Sequence, residues 1–268
     1  MKYLKVLAAC AVLASAGAAH AADPLKEAVA AKHRTSAYAQ RDAARHPYET
    51  LSFFGIAPSM TVVELSPGGG WYTEILAPYL RENGTYIAGL YDPASPRDNY
   101  RRYAQSFQKK LASAPALYDK ARVAVFEPPE QLDFAPPGSV DMVLTFRNLH
   151  NWLEYGDGAM KAIFKSVYDR LKPGGVFGVV EHRLPENRPQ DATASSGYLH
   201  ESYVTRLAQS VGFRLAARSE INANPRDTAD HPGGVWALPP SFGNKEADRA
   251  KYEAIGESDR MTLKFVKP

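Results

Sequence analysis

Residues 62–71 read VVELSPGGGW, a short apolar strand pattern that ends in an acid and runs into a glycine-rich turn. Glycines in such a turn allow positive φ and let a ligand approach the backbone closely. A helix pattern follows, and the N–H groups and dipole at its start favour an anionic group. A glycine turn alone can also be purely structural, so its surroundings must decide whether it binds a ligand.

The turn departs from two well-known phosphate-binding patterns. A dinucleotide site has the pattern G-x-G-x-x-G, in which the third glycine packs the helix against the strand. Here Gly68, Gly69 and Gly70 are followed by WYT, so the third glycine is absent. The turn also lacks the lysine of a nucleoside triphosphate site. These differences disfavour an NAD-linked oxidoreductase and a P-loop enzyme.

Short apolar strand patterns alternate with amphipathic helix patterns from residue 61 onward. Residues 160–171 and 204–211 carry apolar side chains at steps of three and four, which is typical of one-faced helices. The alternation predicts an α/β fold with a mostly parallel seven-stranded sheet and helices on both faces. The last strand lacks a clear crossover helix before it and is expected to be antiparallel. The predicted strands are Thr61–Leu65, Thr85–Tyr91, Arg122–Phe126, Val140–Phe146, Val176–Glu181, Phe213–Ile221 and Arg260–Val266.

Asp92 stands at the end of the second predicted strand, 28 residues after Glu64. An acid at this position of a Rossmann-like sheet can accept hydrogen bonds from both hydroxyls of an adenosyl ribose. The plainer alternative is a turn residue before Pro93. Together with the glycine turn, Asp92 favours an adenosyl ligand.

With these features, the chain resembles the class I, Rossmann-like S-adenosylmethionine-dependent methyltransferases, and it is similar to exported bacterial predicted methyltransferases. VVELSPGGGWYTE resembles their first motif, and YDRLKPGG at residues 168–175 resembles the turn before their fifth strand. The resemblance covers roughly residues 55–222 and the final strand. It implies a methyltransferase sandwich, S-adenosylmethionine as cofactor, and a methyl-transfer reaction.

The resemblance also implies the residues that bind the cofactor. Contacts to its methionine part and adenosine would come from Glu64, Ser66, Gly68 and Gly70, the ribose contact from Asp92, and the adenine contact from Glu127. Ser66 stands where the family motif has its first glycine. The fourth strand continues as TFRNLHNW and not as the Asn-Pro-Pro-aromatic turn of enzymes that methylate bases. The sequence therefore favours a small-molecule acceptor over a nucleic acid.

Methyl transfer needs a general base only when the acceptor arrives protonated. His150 is the first candidate, because it follows the fourth strand beside Asn148 and Asn151, at the edge where open α/β sheets bind ligands. A packing or capping histidine is the alternative. His182 follows the fifth strand at the same edge and is the second candidate. No metal site is expected, because the spacing of His150, Glu181, His182 and His200 matches no known zinc pattern.

Residues 1–21 are predicted to be a signal peptide. Lys2 and Lys5 precede an apolar run from Val6 to Ala19, and AHA at residues 19–21 fits a cleavage site. The run is too short to span a bilayer, which takes about 20 residues. A lipoprotein site ending at Cys10 would leave an even shorter apolar core. We expect a periplasmic or secreted protein without a membrane anchor after cleavage.

The mature chain, residues 22–268, is expected to form one methyltransferase-like domain without cysteine. Residues 22–60 are a helical extension, with one helix predicted from Pro24 to about Arg45. Residues 222–259 are an insertion between the last two strands, and Pro232–Phe242 within it is predicted to close over the acceptor pocket.

The charge of the chain gives no indication of a nucleic-acid partner. Signal cleavage removes two lysines and no acid, so the net charge of +3 falls to +1. The basic residues at 97–110 form the solvated side of a helix whose other side carries Tyr100, Tyr103 and Phe107. An exported, non-catalytic binding protein on the same scaffold is the alternative function, because S-adenosylmethionine is made in the cytoplasm. The sequence does not determine the oligomeric state.

Overall fold

The computed structural model describes residues 23–268, so the predicted signal peptide lies outside the described residues. Among the described residues, no helix is both long and apolar enough to cross a bilayer. Eight strands form one sheet, in the spatial order β3-β2-β1-β4-β5-β8-β7, with β6 paired to β5. The strands are β1 Thr61–Leu65, β2 Thr85–Leu90, β3 Arg122–Val125, β4 Val140–Phe146, β5 Leu171–Leu184, β6 Leu199–His200, β7 Arg214–Ser219 and β8 Arg260–Val266.

The sheet confirms the predicted α/β class. Every strand pairing is parallel except those of β8, which lies antiparallel between β5 and β7. All seven predicted strands are present. The eighth strand, β6, has only two residues, which is too short to produce a periodic pattern. Strand β5 begins five residues before the prediction, because Leu171 pairs with Val140 across an irregularity in the register.

Helices cover both faces of the sheet. They are α1 Pro24–Val29, α2 Ser36–Ala39, α3 Asp42–Arg45, α4 Pro47–Phe54, α5 Thr73–Leu80, α6 Asp98–Ser113, α7 Pro115–Tyr118, α8 Leu149–Leu153, α9 Gly156–Arg170, α10 Glu201–Ser210 and α11 Arg249–Ile255. One apolar core lies between the sheet and α8–α10, and the other between the sheet and α4–α6. Each fully buried Leu, Ile or Phe contributes about 1.5–3 kcal/mol. These cores therefore hold the sheet together.

The predicted single helix from Pro24 to about Arg45 is wrong, because the segment forms α1, α2 and α3 with turns between them. Tertiary contacts compete with the helix at these turns. Arg34 donates to the carbonyl of Val29 at 2.8 Å and forms an ion pair with Asp42. His46, between α3 and α4, has φ +43, and Pro47 begins α4. A continuous helix would break these contacts.

The N-terminal extension packs onto the glycine turn and α5. Thr35 donates to the buried carboxylate of Glu74 through its backbone N–H at 2.8 Å and its hydroxyl at 2.7 Å. Tyr38 donates its hydroxyl proton to the carbonyl of Gly69 at 3.0 Å, and its own carbonyl accepts from Trp71 Nε1 at 3.0 Å. The N-terminal extension therefore holds the glycine turn in place.

Candidate active site

The glycine turn connects β1 to α5 at the carboxyl end of the parallel strands. Ser66, Gly68 and Gly70 have φ of +50, +57 and +81, so glycine suits the last two positions. A Cβ at Gly70 would lie 2.8 Å from Lys110 Cε, whereas a Cβ at Gly68 would meet nothing within 4 Å. Gly68 therefore presents bare backbone to open space, whereas a Cβ at Gly70 would displace the flexible Lys110 side chain and the positive φ favours glycine there.

Asn148 fastens the turn to the neighbouring strand. Its Nδ2 donates to the carbonyls of Leu65 and Ser66 at 3.1 and 3.2 Å, and to Thr145 Oγ1 at 3.1 Å. Strands β1 and β4 lie side by side here, and the chain order of the sheet reverses between them. Ligands of open α/β sheets bind at such a switch point.

A cleft of about 400 Å³ opens at this switch point. Ser66 and Gly68 line it, together with four tyrosines that the sequence analysis did not assign to the site. Tyr91 and Tyr100 stack with ring centroids 3.9 Å apart. The polar lining residues include Asn148 and Asn151, and the full tyrosine set is Tyr91, Tyr100, Tyr103 and Tyr155. Three of the four fall within residues 91–103, so this tyrosine density was the signal available in the sequence.

The acids Asp92 and Glu127 lie together at the rim of the cleft. Glu127 is buried; its Oε2 accepts the Asp92 N–H at 2.9 Å and its Oε1 accepts the Ser95 hydroxyl at 2.7 Å. Asp92 Oδ1 accepts the Ala94 N–H at 2.7 Å. Both Glu127 oxygens therefore brace the loop that carries Asp92. Neither acid is among the lining residues, although the adjacent Tyr91 and Pro128 are, and their predicted contacts to ribose and adenine stay predictions.

Glu64 is placed beneath the glycine turn and does not line the cleft. Its Oε2 accepts the Tyr86 hydroxyl at 2.6 Å and the Thr73 hydroxyl at 3.0 Å. Burial raises the pKa of Glu64 to about 7, although these two hydrogen bonds oppose the shift. The side chain thus ties β1 to β2 and to the first residue of α5. A direct cofactor contact from Glu64 stays a prediction.

His150 is held by a buried carboxylate. On α8, its Nδ1 lies 3.0 Å from Glu181 Oε1. Glu181 is fully buried and also accepts the N–H groups of Leu149 at 2.6 Å and His182 at 2.8 Å. A carboxylate at Nδ1 favours the tautomer with its proton there, which leaves the lone pair on Nε2. This arrangement suits a general base.

His182 lies next to His150, with ring centroids 5.3 Å apart. Its Nδ1 is 2.5 Å from Ser258 Oγ. Burial, then repulsion from His150 and from nearby arginines, holds the pKa of His182 well below 6.5. His182 is therefore neutral at physiological pH.

A second pocket, of about 300 Å³, adjoins the cleft. Both His150 and His182 line it, and Asn151 lines both cavities. Trp236 contacts His150 edge to face, with centroids 5.9 Å apart. The predicted closing segment therefore lies on this pocket, whose other lining residues are Arg41, Arg45, Arg147, Val235, Pro239, Pro240, Ser241, Glu257 and Ser258.

Three of the four residues considered for a metal come together. His150, Glu181 and His182 have potential ligand atoms within 4.8 Å of one another. His200 lies elsewhere, with Nε2 2.8 Å from the carbonyl of Arg188. Both Glu181 oxygens and both Nδ1 atoms are already hydrogen-bonded. The expected absence of a metal stays a prediction.

The sheet order and the glycine turn define a Rossmann-like methyltransferase fold. Solved structures with this fold include a SAM-dependent methyltransferase from Aquifex aeolicus, with a TM-score of 0.55, 15% identity and coverage of 92% of this chain and 100% of that chain. A protein from Galdieria sulphuraria described as a "putative sarcosine dimethylglycine methyltransferase" has a TM-score of 0.57, 14% identity, and coverage of 87% and 90%. The [4+2]-cyclase SpnF has a TM-score of 0.57, 17% identity, and coverage of 91% and 92%.

One curated relative is similar in sequence. An uncharacterized methyltransferase of Synechocystis sp. is 31% identical over 141 residues, which is 53% of this chain and 54% of that protein. The chain thus spans about half the length of the curated relative it matches. No protein-family model matches the chain.

Proposed function

We propose that this protein is an S-adenosylmethionine-dependent methyltransferase that acts on a small-molecule acceptor. The observation that carries the proposal is the pair of adjoining cavities. One lies at the β1/β4 switch point beside the glycine turn, and the other is lined by His150, which the buried Glu181 holds from behind. Asn151 lines both, so a donor in the first can face an acceptor in the second. The similarity to the Synechocystis methyltransferase supports the same function.

The residues of the cleft fit an adenosyl cofactor. The open space at Gly68 admits a ligand against the backbone, and Asp92, next to the lining residue Tyr91, is the proposed acceptor for the ribose hydroxyls. Aromatic rings such as Tyr91 and Tyr100 offer an apolar surface for a base. When bound, S-adenosylmethionine would supply a methyl group already activated by its sulfonium.

The protein's own residues then align the acceptor and remove its proton. Alignment in a favourable geometry can contribute about 7–11 kcal/mol to lowering the barrier. His150 Nε2 takes the proton of an acceptor hydroxyl or similar group, and the Glu181 carboxylate stabilises the imidazolium through Nδ1–H. The neutral His182 beside it adds no competing charge.

Asp92→Ala is expected to weaken S-adenosylhomocysteine binding, measured by calorimetry. The ribose hydroxyls would lose a charged acceptor, which is worth about 1.5–3 kcal/mol, or tenfold and more in Kd. Asp133→Ala is the matched control, because the Asp133 side chain is exposed on the surface away from the cleft. A folded wild-type protein that gives no binding heat would rule out the proposed function.

We also propose that the protein is exported and cleaved after Ala21, with a periplasmic or secreted location. The support is the predicted signal at residues 1–21 and the absence of cysteine from residues 22–268. The intact mass of the protein from its own host should match a chain that begins at Ala22. A mass that includes residues 1–21, or a lipidated Cys10, would contradict this location.

A further inference from the structure

The second pocket carries an excess of positive charge. Arg41, Arg45 and Arg147 line it, whereas Glu257 is the only acid among its lining residues. Glu257 accepts from Arg41 Nε at 2.6 Å, from Arg45 Nε at 3.1 Å and from Arg260 Nη1 at 3.1 Å. Within residues 23–268, one carboxylate thus faces the guanidinium groups of Arg41, Arg45, Arg147 and Arg260, and the positive charge of the cluster exceeds the negative charge by three. Buried charges in proteins are normally paired.

The pKa values of the charged groups in this pocket reflect its excess of positive charge. Burial, and then repulsion from neighbouring arginines, lowers the pKa of Arg45 to about 9 and that of Arg147 to about 10. Burial alone would raise the pKa of Glu257, but Arg45 and Arg260 outweigh it and lower the pKa to about 2. Each arginine of the cluster would therefore be stabilised by a further negative charge in the pocket.

Two donors of the cluster have no partner. Among residues 23–268, Arg45 Nη1 and Arg260 Nε are buried without an acceptor. An unsatisfied buried donor is costly and rare. Arg147 also has φ +60, a backbone conformation that residues other than glycine seldom adopt. Such strain is concentrated at ligand sites, where the surrounding structure maintains it.

We propose that the second pocket binds an oxyanion, a phosphate or carboxylate group, and that this group belongs to the methyl acceptor. The guanidinium forks of Arg45 and Arg147 suit the planar or tetrahedral oxygens of such a group. Binding there would place the rest of the acceptor beside His150 and Asn151, facing the cleft. A cationic acceptor would be repelled by the same charges. The assignment to the acceptor rests on the proposed function, whereas oxyanion binding does not.

The test titrates inorganic phosphate and, separately, acetate into the mature protein and follows tryptophan fluorescence and binding heat. Wild type is expected to bind at least one of the two anions, and the tighter one identifies the chemistry. Arg147→Gln is expected to weaken this binding about tenfold or more, since it removes a charged hydrogen bond. Arg214→Gln is the matched control and should bind like wild type, because Arg214 lies exposed on β7.

Each remaining outcome has a defined meaning. No anion binding by folded wild type, or equal losses in Arg147→Gln and Arg214→Gln, would overturn the proposal. If Arg147→Gln does not fold, Arg41→Gln provides the same test, because the Arg41 side chain lines the same pocket and is 22% exposed. S-adenosylhomocysteine is titrated in parallel. If Arg147→Gln also weakens its binding, the pocket serves the cofactor's own carboxylate and the acceptor assignment is wrong. If wild type binds phosphate but no S-adenosylhomocysteine, the proposed function fails and the oxyanion site stands.

Discussion

His150→Gln is expected to lower the rate of methyl transfer by about 10²–10⁴-fold, the usual contribution of a general base. Glutamine has nearly the size of histidine but no lone pair of comparable basicity at the position of Nε2. Because His150 lines the second pocket and not the cleft, S-adenosylhomocysteine should bind as in wild type. The measurement is the transfer of labelled methyl from S-adenosylmethionine to acceptors in a small-molecule extract of the host.

His200→Gln is the matched control, because His200 is a half-buried histidine whose Nε2 contacts the carbonyl of Arg188 outside the pocket. Its rate should equal that of wild type. An unchanged rate in His150→Gln with a lower melting temperature would show that His150 only packs against Glu181. Wild-type protein that binds S-adenosylhomocysteine but methylates nothing in the extract would favour the non-catalytic binding protein.

The order of the elements was predictable because it depends on local patterns. Buried parallel strands such as β4 are continuous apolar runs in the sequence. The one-faced helix α9 is indicated by apolar residues spaced three and four apart in residues 160–171. The glycine turn was equally predictable from the sequence, because positive φ at Gly68 and Gly70 favours glycine at both positions. The edge where His150 and His182 meet followed from strand direction alone.

Side-chain partnerships across the chain were not predictable in the same way. Thr35 donates two hydrogen bonds to Glu74 at a turn that interrupts the expected N-terminal helix. No local sequence pattern reveals this contact. Both oxygens of Glu127 accept hydrogen bonds from the loop of Asp92, another contact that no local pattern reveals. The second pocket is formed by residues as distant in sequence as Arg41 and Glu257, which become neighbours only when β8 inserts beside β5.

The insertion between β7 and β8 is fixed firmly at one side of the pocket. Asp227 accepts from His231 Nε2 at 2.8 Å, from the Tyr198 hydroxyl at 3.0 Å and from the Asp259 N–H at 2.8 Å. The Val235 N–H donates to the carbonyl of Ser196 at 2.9 Å. These contacts hold residues 234–241 against the loop before β6. Trp236 thus covers His150 from a braced position, although 41% of its own surface is exposed.

Trp236→Ala is expected to lower turnover by about 10²-fold, comparable with the effect of a 1 Å misplacement of reacting groups. The indole contacts His150 edge to face and forms part of the pocket wall, so we expect its loss to admit water and to loosen the acceptor. Binding of S-adenosylhomocysteine should not change, because Trp236 does not line the cleft. The same labelled-methyl assay and calorimetry provide both readouts.

Val123→Ala is the matched control, since Val123 on the edge strand β3 is also 41% exposed and lies away from the second pocket. Both substitutions remove exposed apolar surface, so a shared loss of stability would be a general effect. Full activity in Trp236→Ala would show that residues 232–242 only cover the end of the sheet. A loss of activity confined to Trp236→Ala would instead show that the insertion excludes water from the pocket. The other walls of the pocket are rich in arginine, which attracts water, so they cannot exclude it.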